Sequence, residues 1–112
     1  MAWLVLTEAI LLTQVSGAEL EPLRAAALAD GQADPVQPSI DQVTNEVRGY
    51  VAACKSNTLD ADASKIPDRL VGAACAMVVA KIISRVPGYP LTEEKKLALS
   101  NALTLMRSVA SC

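Results

Sequence analysis

The longest uncharged stretch of this sequence, residues 70–80, constrains the fold more than any other feature. It reads LVGAACAMVVA and lies between Arg69 and Lys81. A helix that is apolar on every side is stable when other elements surround it, so this stretch predicts a core helix. Its 11 residues are too few to cross a bilayer, which needs about 20 residues. We therefore expect a bundle core and no contact with a membrane.

The composition favours helices packed through aliphatic side chains. Hydrophobic residues make up 52% of the 112 residues, and the chain has no Phe. The excess over an ordinary domain lies in Ala, Leu and Val, most of which are good helix formers. A chain of this length forms one domain. We therefore predict a single helical domain over residues 1–112.

The predicted fold class is all-α: a compact bundle of four to five helices around a central apolar helix, preceded by a short extended arm. Apolar spacing and helix-breaking residues set the expected bounds. The arm covers residues 1–6, and the helices cover about 7–14, 22–30, 39–55, 67–85 and 92–110. The reversal at residues 86–91 is short, so the last two helices are predicted to be antiparallel neighbours.

Local signals decide where these helices begin. Thr7, Ser39 and Thr92 are candidate N-caps, because a hydroxyl at that position accepts a hydrogen bond from a free backbone N–H. A proline inside a helix costs about 3 kcal/mol, whereas a cap contributes about 1 kcal/mol. This difference favours Pro22 as the start of the second helix, and Pro67 opens the central helix in the same way.

The N-terminal segment has some features of a signal peptide, because residues 3–6 and 10–12 are apolar. It has no positively charged start, and Glu8 interrupts the apolar stretch. The segment is therefore predicted to be part of the fold.

The sequence lacks the residue type that enzymes use most often in acid–base chemistry. There is no His, which removes the commonest general base and the commonest metal ligand. The cysteines are Cys54, Cys75 and Cys112. Their odd number and wide spacing favour reduced thiols, with the first two in the core. We therefore predict no catalytic residue, no cofactor and no metal site. The net charge of −2 gives no basic footprint for nucleic acid.

A polar loop at residues 56–65 resembles the start of a calcium-binding loop. Asp60, Asp62 and Ser64 stand at alternate positions. Lys65 replaces the glycine that such a loop requires, and Val71 stands where a bidentate Glu is needed. The loop is therefore predicted to be a solvated acidic segment.

Two aromatic residues indicate protein contacts. Trp3 lies in the short arm, and Tyr89 lies at the tip of the proline-containing turn. Aromatic residues in such places are enriched at interfaces, although both rings also suit packing onto their own domain. The predicted interface residues are Trp3, Leu4, Tyr89 and Leu91.

The whole pattern resembles the small helical head–tail connector proteins of tailed bacteriophages and prophages, including the Mu-type neck family. The likeness lies in the apolar arm with Thr7, Glu8, Ile10 and Leu11, in Ile40-x-x-Val43-x-x-x-Val47-x-x-Tyr50-Val51, in Ile66-Pro67-x-x-Leu70, and in Lys95-Lys96 followed by Leu97, Ala102, Leu103 and Met106. Leu97 departs from the family pattern, which often has an aromatic residue there.

The resemblance implies a structural virion protein without catalytic activity. Its copies would form a homo-oligomeric ring between the portal and the tail or stopper proteins, at the virion neck, after synthesis in the host cytoplasm. A ring requires side-to-side contacts between two different faces of the chain. The alternative is a helical protein-binding or regulatory module that takes a partner helix into an apolar groove.

Overall fold

The computed structural model describes residues 2–14, 17–29, 31, 33–85 and 91–112. Five α-helices and one two-stranded antiparallel sheet are present in these ranges, which confirms the all-α prediction. In chain order the elements are β1 (Trp3–Val5), α1 (Glu8–Gln14), α2 (Gly17–Ala29), α3 (Val36–Ala53), β2 (Lys65–Pro67), a 3-10 turn (Asp68–Leu70), α4 (Val71–Ser84) and α5 (Glu93–Ala110).

The core is built around α4, as the uncharged stretch predicts. This helix packs most extensively against α5 and α3. Ala74, Val78 and Ile82 are completely buried. Burial is not uniform, because Gly72 is exposed and Ala76 is half-buried. The helix is therefore enclosed on most sides and exposes a strip of small residues.

The partner helices supply apolar stripes to this core. In α3, the side chains of Ile40, Val43, Val47 and Val51 are buried at the predicted helical spacing. In α5, Ala102 and Met106 are buried, and the neighbouring apolar residues of the same face are half-buried: Leu99, Leu103, Val109 and Ala110. Aliphatic side chains thus form the core.

Helices α4 and α5 run antiparallel. Leu70, at the start of α4, shares a cleft with Val109, near the end of α5. Val79, farther along α4, lines a hollow together with Ala98, which lies in the first half of α5. The connecting turn at residues 86–90, including the predicted contact residue Tyr89, lies outside the described residues.

The predicted start of the second helix at Pro22 is wrong. Helix α2 begins at Gly17 and carries Pro22 in its interior, with the ring exposed. The continuous helix places Leu20, Leu23 and Ala27 together in the core. Burying these side chains, at about 1.5–3 kcal/mol for a leucine, offsets the backbone bond that proline removes.

The predicted N-cap at Ser39 is also wrong. Helix α3 begins at Val36, whose N–H donates to Oδ1 of Asp34 at 3.0 Å. Pro38 lies in the first turn, where a missing N–H removes no helical bond. Ser39 is fully buried, its N–H donates to the Pro35 carbonyl, and its hydroxyl has no partner among the described residues.

Two other predicted caps are confirmed, and the N-terminal arm is extended as expected. Thr7 accepts from the Ile10 N–H, and Thr92 accepts from the Lys95 N–H, each at 3.3 Å. The arm is also paired, because β1 forms a ladder with β2. This pairing holds Pro67 in an extended conformation and delays α4 to Val71, four residues after its predicted start. None of the described helices is long and apolar enough to span a membrane.

The central position of α4 predicts that one buried charge there abolishes folding. Val78 is fully buried, so Val78→Asp leaves a carboxylate without water or a partner. That change costs several kcal/mol, against a typical total stability of about 5–15 kcal/mol. We expect no cooperative thermal unfolding by circular dichroism. Leu97→Asp is the control, because Leu97 is 62% exposed, and it keeps a normal transition. A normal transition for Val78→Asp would contradict this role of α4.

Candidate contact surface

An open cleft lies at one end of the bundle, where the arm meets the ends of α3 and α5. Its volume is about 860 Å³. The arm and the residues before α4 contribute Trp3, Pro67, Arg69 and Leu70; the end of α3 and the following loop contribute Val51, Cys54, Ser56, Asn57 and Thr58; α5 and the residues after it contribute Leu105, Ser108, Val109 and Cys112.

The cleft has apolar walls and a polar rim. Val51 and Leu70 are buried in its walls, Trp3 and Val109 are half-buried, and Leu105 is 42% exposed. The rim consists of short hydroxyl and amide side chains. Arg69 is the one charged residue among the described residues that line the cleft. Such a surface suits apolar side chains from another protein better than a charged small molecule.

A disulfide between Cys54 and Cys112 joins two walls of the cleft, which corrects the prediction of reduced thiols. The two residues are separated by 58 positions in the chain, but their Cα atoms lie 5.4 Å apart. This separation lies in the normal range for a disulfide. The bond fastens the end of α5 to the end of α3.

The third cysteine follows the prediction for a core residue. Cys75 is free and buried in α4. Burial raises the pKa of its thiol to about 11. The thiol is therefore neutral at neutral pH and is a poor nucleophile.

Arg48 fixes the arm and the acidic loop relative to each other. Its Nη1 donates to the carbonyls of Asp62 at 2.9 Å and Lys65 at 2.8 Å. Its Nη2 donates to the carbonyl of Asp60 at 2.8 Å. The guanidinium carbon lies 5.6 Å from the ring centre of Trp3, within cation–π distance. One side chain thus positions two neighbouring parts of the cleft.

The acidic side chains of this loop are used within the loop. Asp60 Oδ1 accepts from the Asp62 N–H at 2.8 Å, and Asp62 Oδ1 accepts from the N–H and hydroxyl of Ser64 at 3.0 and 2.6 Å. These bonds from Ser64 hold the pKa of the Asp62 carboxyl below its usual value. No group of three metal-ligating side chains occurs in the described ranges. Three backbone carbonyls of the loop, those of Asp60, Asp62 and Lys65, accept hydrogen bonds from the Arg48 guanidinium instead.

A second arginine links α1, α2 and the segment before α3. Arg24 contacts Glu8 of α1, Glu21 one turn earlier at 2.7 Å, and Asp34 at 3.1 Å. Burial alone lowers the pKa of Arg24, but the hydrogen bond to Glu8 and the three acidic charges raise it overall. This cluster joins α1, α2 and the segment before α3. It is a structural ion-pair network in which one guanidinium serves three carboxylates.

Three of the predicted interface residues, Trp3, Leu4 and Leu91, pack partly against the core, and Trp3 also lines the cleft. Sequence analysis missed Leu105, which completes an apolar wall of the cleft. Its signal was present in the sequence, because Leu105 is a large apolar residue outside the face of α5 that packs on the core.

Comparisons of the chain with protein-family models, with curated proteins and with solved structures find no significant match.

Removal of the disulfide is predicted to lower the stability of the folded chain strongly. Closing a loop of 58 residues contributes about 4 kcal/mol by the loop-entropy relation. We expect Cys112→Ser to lower the free energy of unfolding by about this amount in urea titrations without reductant. Dithiothreitol should lower the wild-type stability to the level of the variant and leave the variant unchanged. An identical wild-type titration with and without reductant would contradict this assignment.

Loss of the Arg48 guanidinium is predicted to loosen the arm and the acidic loop that it contacts. The single ammonium group of Arg48→Lys cannot reproduce the three-carbonyl contact, and we expect a stability loss of about 1–3 kcal/mol. Hydrogen exchange should rise in the loop at residues 57–65 and in β1, while α4 stays protected. Arg69→Lys is the matched control, because Arg69 is exposed, and it should leave exchange unchanged. Unchanged exchange in the Arg48 variant would exclude the anchoring role.

Proposed function

We propose that this chain is a structural head–tail connector protein that acts through protein contacts and has no catalytic activity. The sequence resemblance suggests this class, and the apolar cleft beside Trp3 is the observation that carries the proposal. The cleft is open, its walls are apolar, and Arg48 holds the arm and the neighbouring loop in place. A preformed surface of this kind binds another protein with little loss of conformational freedom.

The chemistry of the cleft favours contact over catalysis. General acid–base catalysis needs a positioned titratable group, and the sequence contains no His. Arg69 is the charged residue at the cleft, and a lone guanidinium does not act as a base at neutral pH. A guanidinium beside apolar walls is instead a common element of protein interfaces, where it pairs with a carboxylate.

The distribution of exposed apolar side chains supports assembly through more than one face. Leu105 borders the cleft, whereas Leu12 and Leu28 are exposed on α1 and α2, and Leu97 is exposed in the first half of α5. A closed ring needs contacts between two different surfaces of each copy. This chain offers apolar groups both at the cleft and away from it.

The disulfide supports a location outside a reducing cytosol for the mature protein. Disulfides persist in oxidising environments, which include virion surfaces, and are rare in the cytosol. We infer that the protein is made in the host cytoplasm in the reduced form. The bond between Cys54 and Cys112 would then form in the assembled particle.

The alternative function is a helical module that takes up a partner segment, and the same cleft suits that role. The two functions differ in the stoichiometry of the assembly. A module binds one segment per chain, whereas a connector joins many copies around an axis. The mass and shape of the assembly therefore distinguish the two functions.

The connector proposal predicts ring-shaped particles. We expect the purified chain, mixed with the portal protein encoded beside its gene, to form rings in negative-stain images and a multi-copy mass by light scattering. Leu105→Asp should weaken this assembly at least tenfold while the variant keeps its fold, because Leu105 is already partly exposed. Ser100→Asp is the matched control, on an exposed position of the same helix, and should assemble normally. Absence of a neighbouring portal gene, or a one-to-one complex with a partner segment, would overturn the proposal.

A further inference from the structure

The two-stranded sheet leaves one backbone edge open. The pairs of the ladder are Trp3–Pro67, Leu4–Ile66 and Val5–Lys65. The Asp68 N–H donates to the Ala2 carbonyl at 2.9 Å. Ala2 and Asp68 continue the same register, so this bond makes them a hydrogen-bonded pair. In an antiparallel ladder, hydrogen-bonded and non-hydrogen-bonded pairs alternate.

This alternation sets the direction of the backbone groups in β1. Trp3 and Val5 belong to non-hydrogen-bonded pairs, whereas Leu4 exchanges both of its bonds with β2. The N–H and C=O groups of Trp3 and Val5 therefore point away from β2. They form the outer edge of the sheet on the side of β1.

The opposite edge of the sheet, on the side of β2, is closed by residues of the chain itself. The Lys65 N–H donates to the Asp62 carbonyl at 3.1 Å, and the Lys65 carbonyl accepts from Arg48 at 2.8 Å. Pro67 has no N–H to offer. The edge of β2 is therefore blocked in the ways that natural sheets use to prevent pairing.

The edge of β1 has no such protection. Among the described residues, none bonds to the outward backbone groups of Trp3 or Val5. Residues 2–6, AWLVL, contain neither a charge nor a proline. The Val5 side chain is 40% exposed. An uncharged open edge of this kind is a template for one more strand.

We propose that β1 of a second copy of this chain covers this edge, antiparallel and related by a two-fold axis at Leu4. In that register Trp3 lies opposite Val5 of the second copy, and Val5 lies opposite Trp3 of the second copy. Both pairs are hydrogen-bonded pairs, so all the outward N–H and C=O groups of the two strands find partners. The result is a four-stranded sheet in the order β2-β1-β1-β2.

A second copy fits this edge because the edge is complementary to itself. The outward groups lie symmetrically on either side of Leu4. A two-fold rotation at Leu4 therefore places each N–H donor opposite a C=O acceptor of the second copy. Neither strand carries a charge to repel the other. The side chains also match, because an aromatic residue opposite a β-branched residue is a favourable cross-strand pair. Leu4 meets Leu4 of the second copy on the other face of the sheet.

This contact differs in symmetry from the ring contacts of the proposed function. A two-fold contact closes at two copies, whereas a ring needs contacts between different faces. The interface is small, so the dimer is weak and depends on concentration. A dimer mass and a multi-copy mass therefore test the two proposals independently.

Substitution of Val5 provides the test, because its outward N–H takes no part in the β1–β2 ladder. Val5→Pro removes this donor and should leave the monomer folded with an unchanged melting temperature. Val5→Thr is the matched control, because it keeps the N–H and the branched side chain. The readout is sedimentation equilibrium of the full chain over protein concentrations from about 10 µM to about 1 mM, a range that covers weak association.

We expect the wild type and Val5→Thr to rise from 11.7 kDa toward twice that mass, and Val5→Pro to stay monomeric. Amide exchange adds a residue-level readout: the Leu4 amide is protected at all concentrations, and those of Trp3 and Val5 only in the dimer. A wild type that stays monomeric throughout, or a folded Val5→Pro that associates like the wild type, would overturn the proposal.

Discussion

The removal of α4 from water is the constraint on which the rest of this structure depends. This helix carries no charge between Arg69 and Lys81, so its exposure would leave a large apolar surface in water. Alanines such as Ala74 let α3 and α5 approach closely, and the branched side chains of Val78 and Ile82 fill the space between them. The positions of the arm, the loop and the cleft all follow from the way α3 and α5 enclose this helix.

The two regions around this core are held by different chemistry. In the region of α1 and α2, Arg24 is shared between three carboxylates. At the cleft, a covalent bond and the guanidinium of Arg48 hold the loop, the arm and the ends of α3 and α5. The ion-pair region directs its charged groups toward one another. The cleft region leaves apolar walls and an open strand edge, and for that reason both proposed contacts lie there.

The fold was largely predictable from sequence because its main signals are local. The buried stripe of α3, the uncharged α4 and the caps at Thr7 and Thr92 depend on spacing within one helix. The predictions were wrong where contacts between residues far apart in the chain outweighed the local signals. The helix start predicted at Pro22 was overridden by core burial on both sides of it. Pairing with the arm kept Pro67 extended.

The candidate site was predictable only in part, for the same reason. Trp3 was expected at a contact surface because it is an aromatic residue in a short arm, and it lines the cleft. The disulfide was missed because a separation of 58 residues gives no local signal that Cys54 and Cys112 meet. The role of Arg48 was missed because its three acceptors are backbone carbonyls, which no side-chain pattern marks.

Native-state hydrogen exchange along α4 tests this account most directly. If enclosure of this helix holds the domain together, the amides of residues 75–82 exchange only when the whole chain unfolds. Their exchange free energy then equals the stability measured by denaturant, and both fall equally as urea is added. Exchange of these amides through a smaller local opening, while α3 or α5 remains protected, would show that another element forms the centre of the fold.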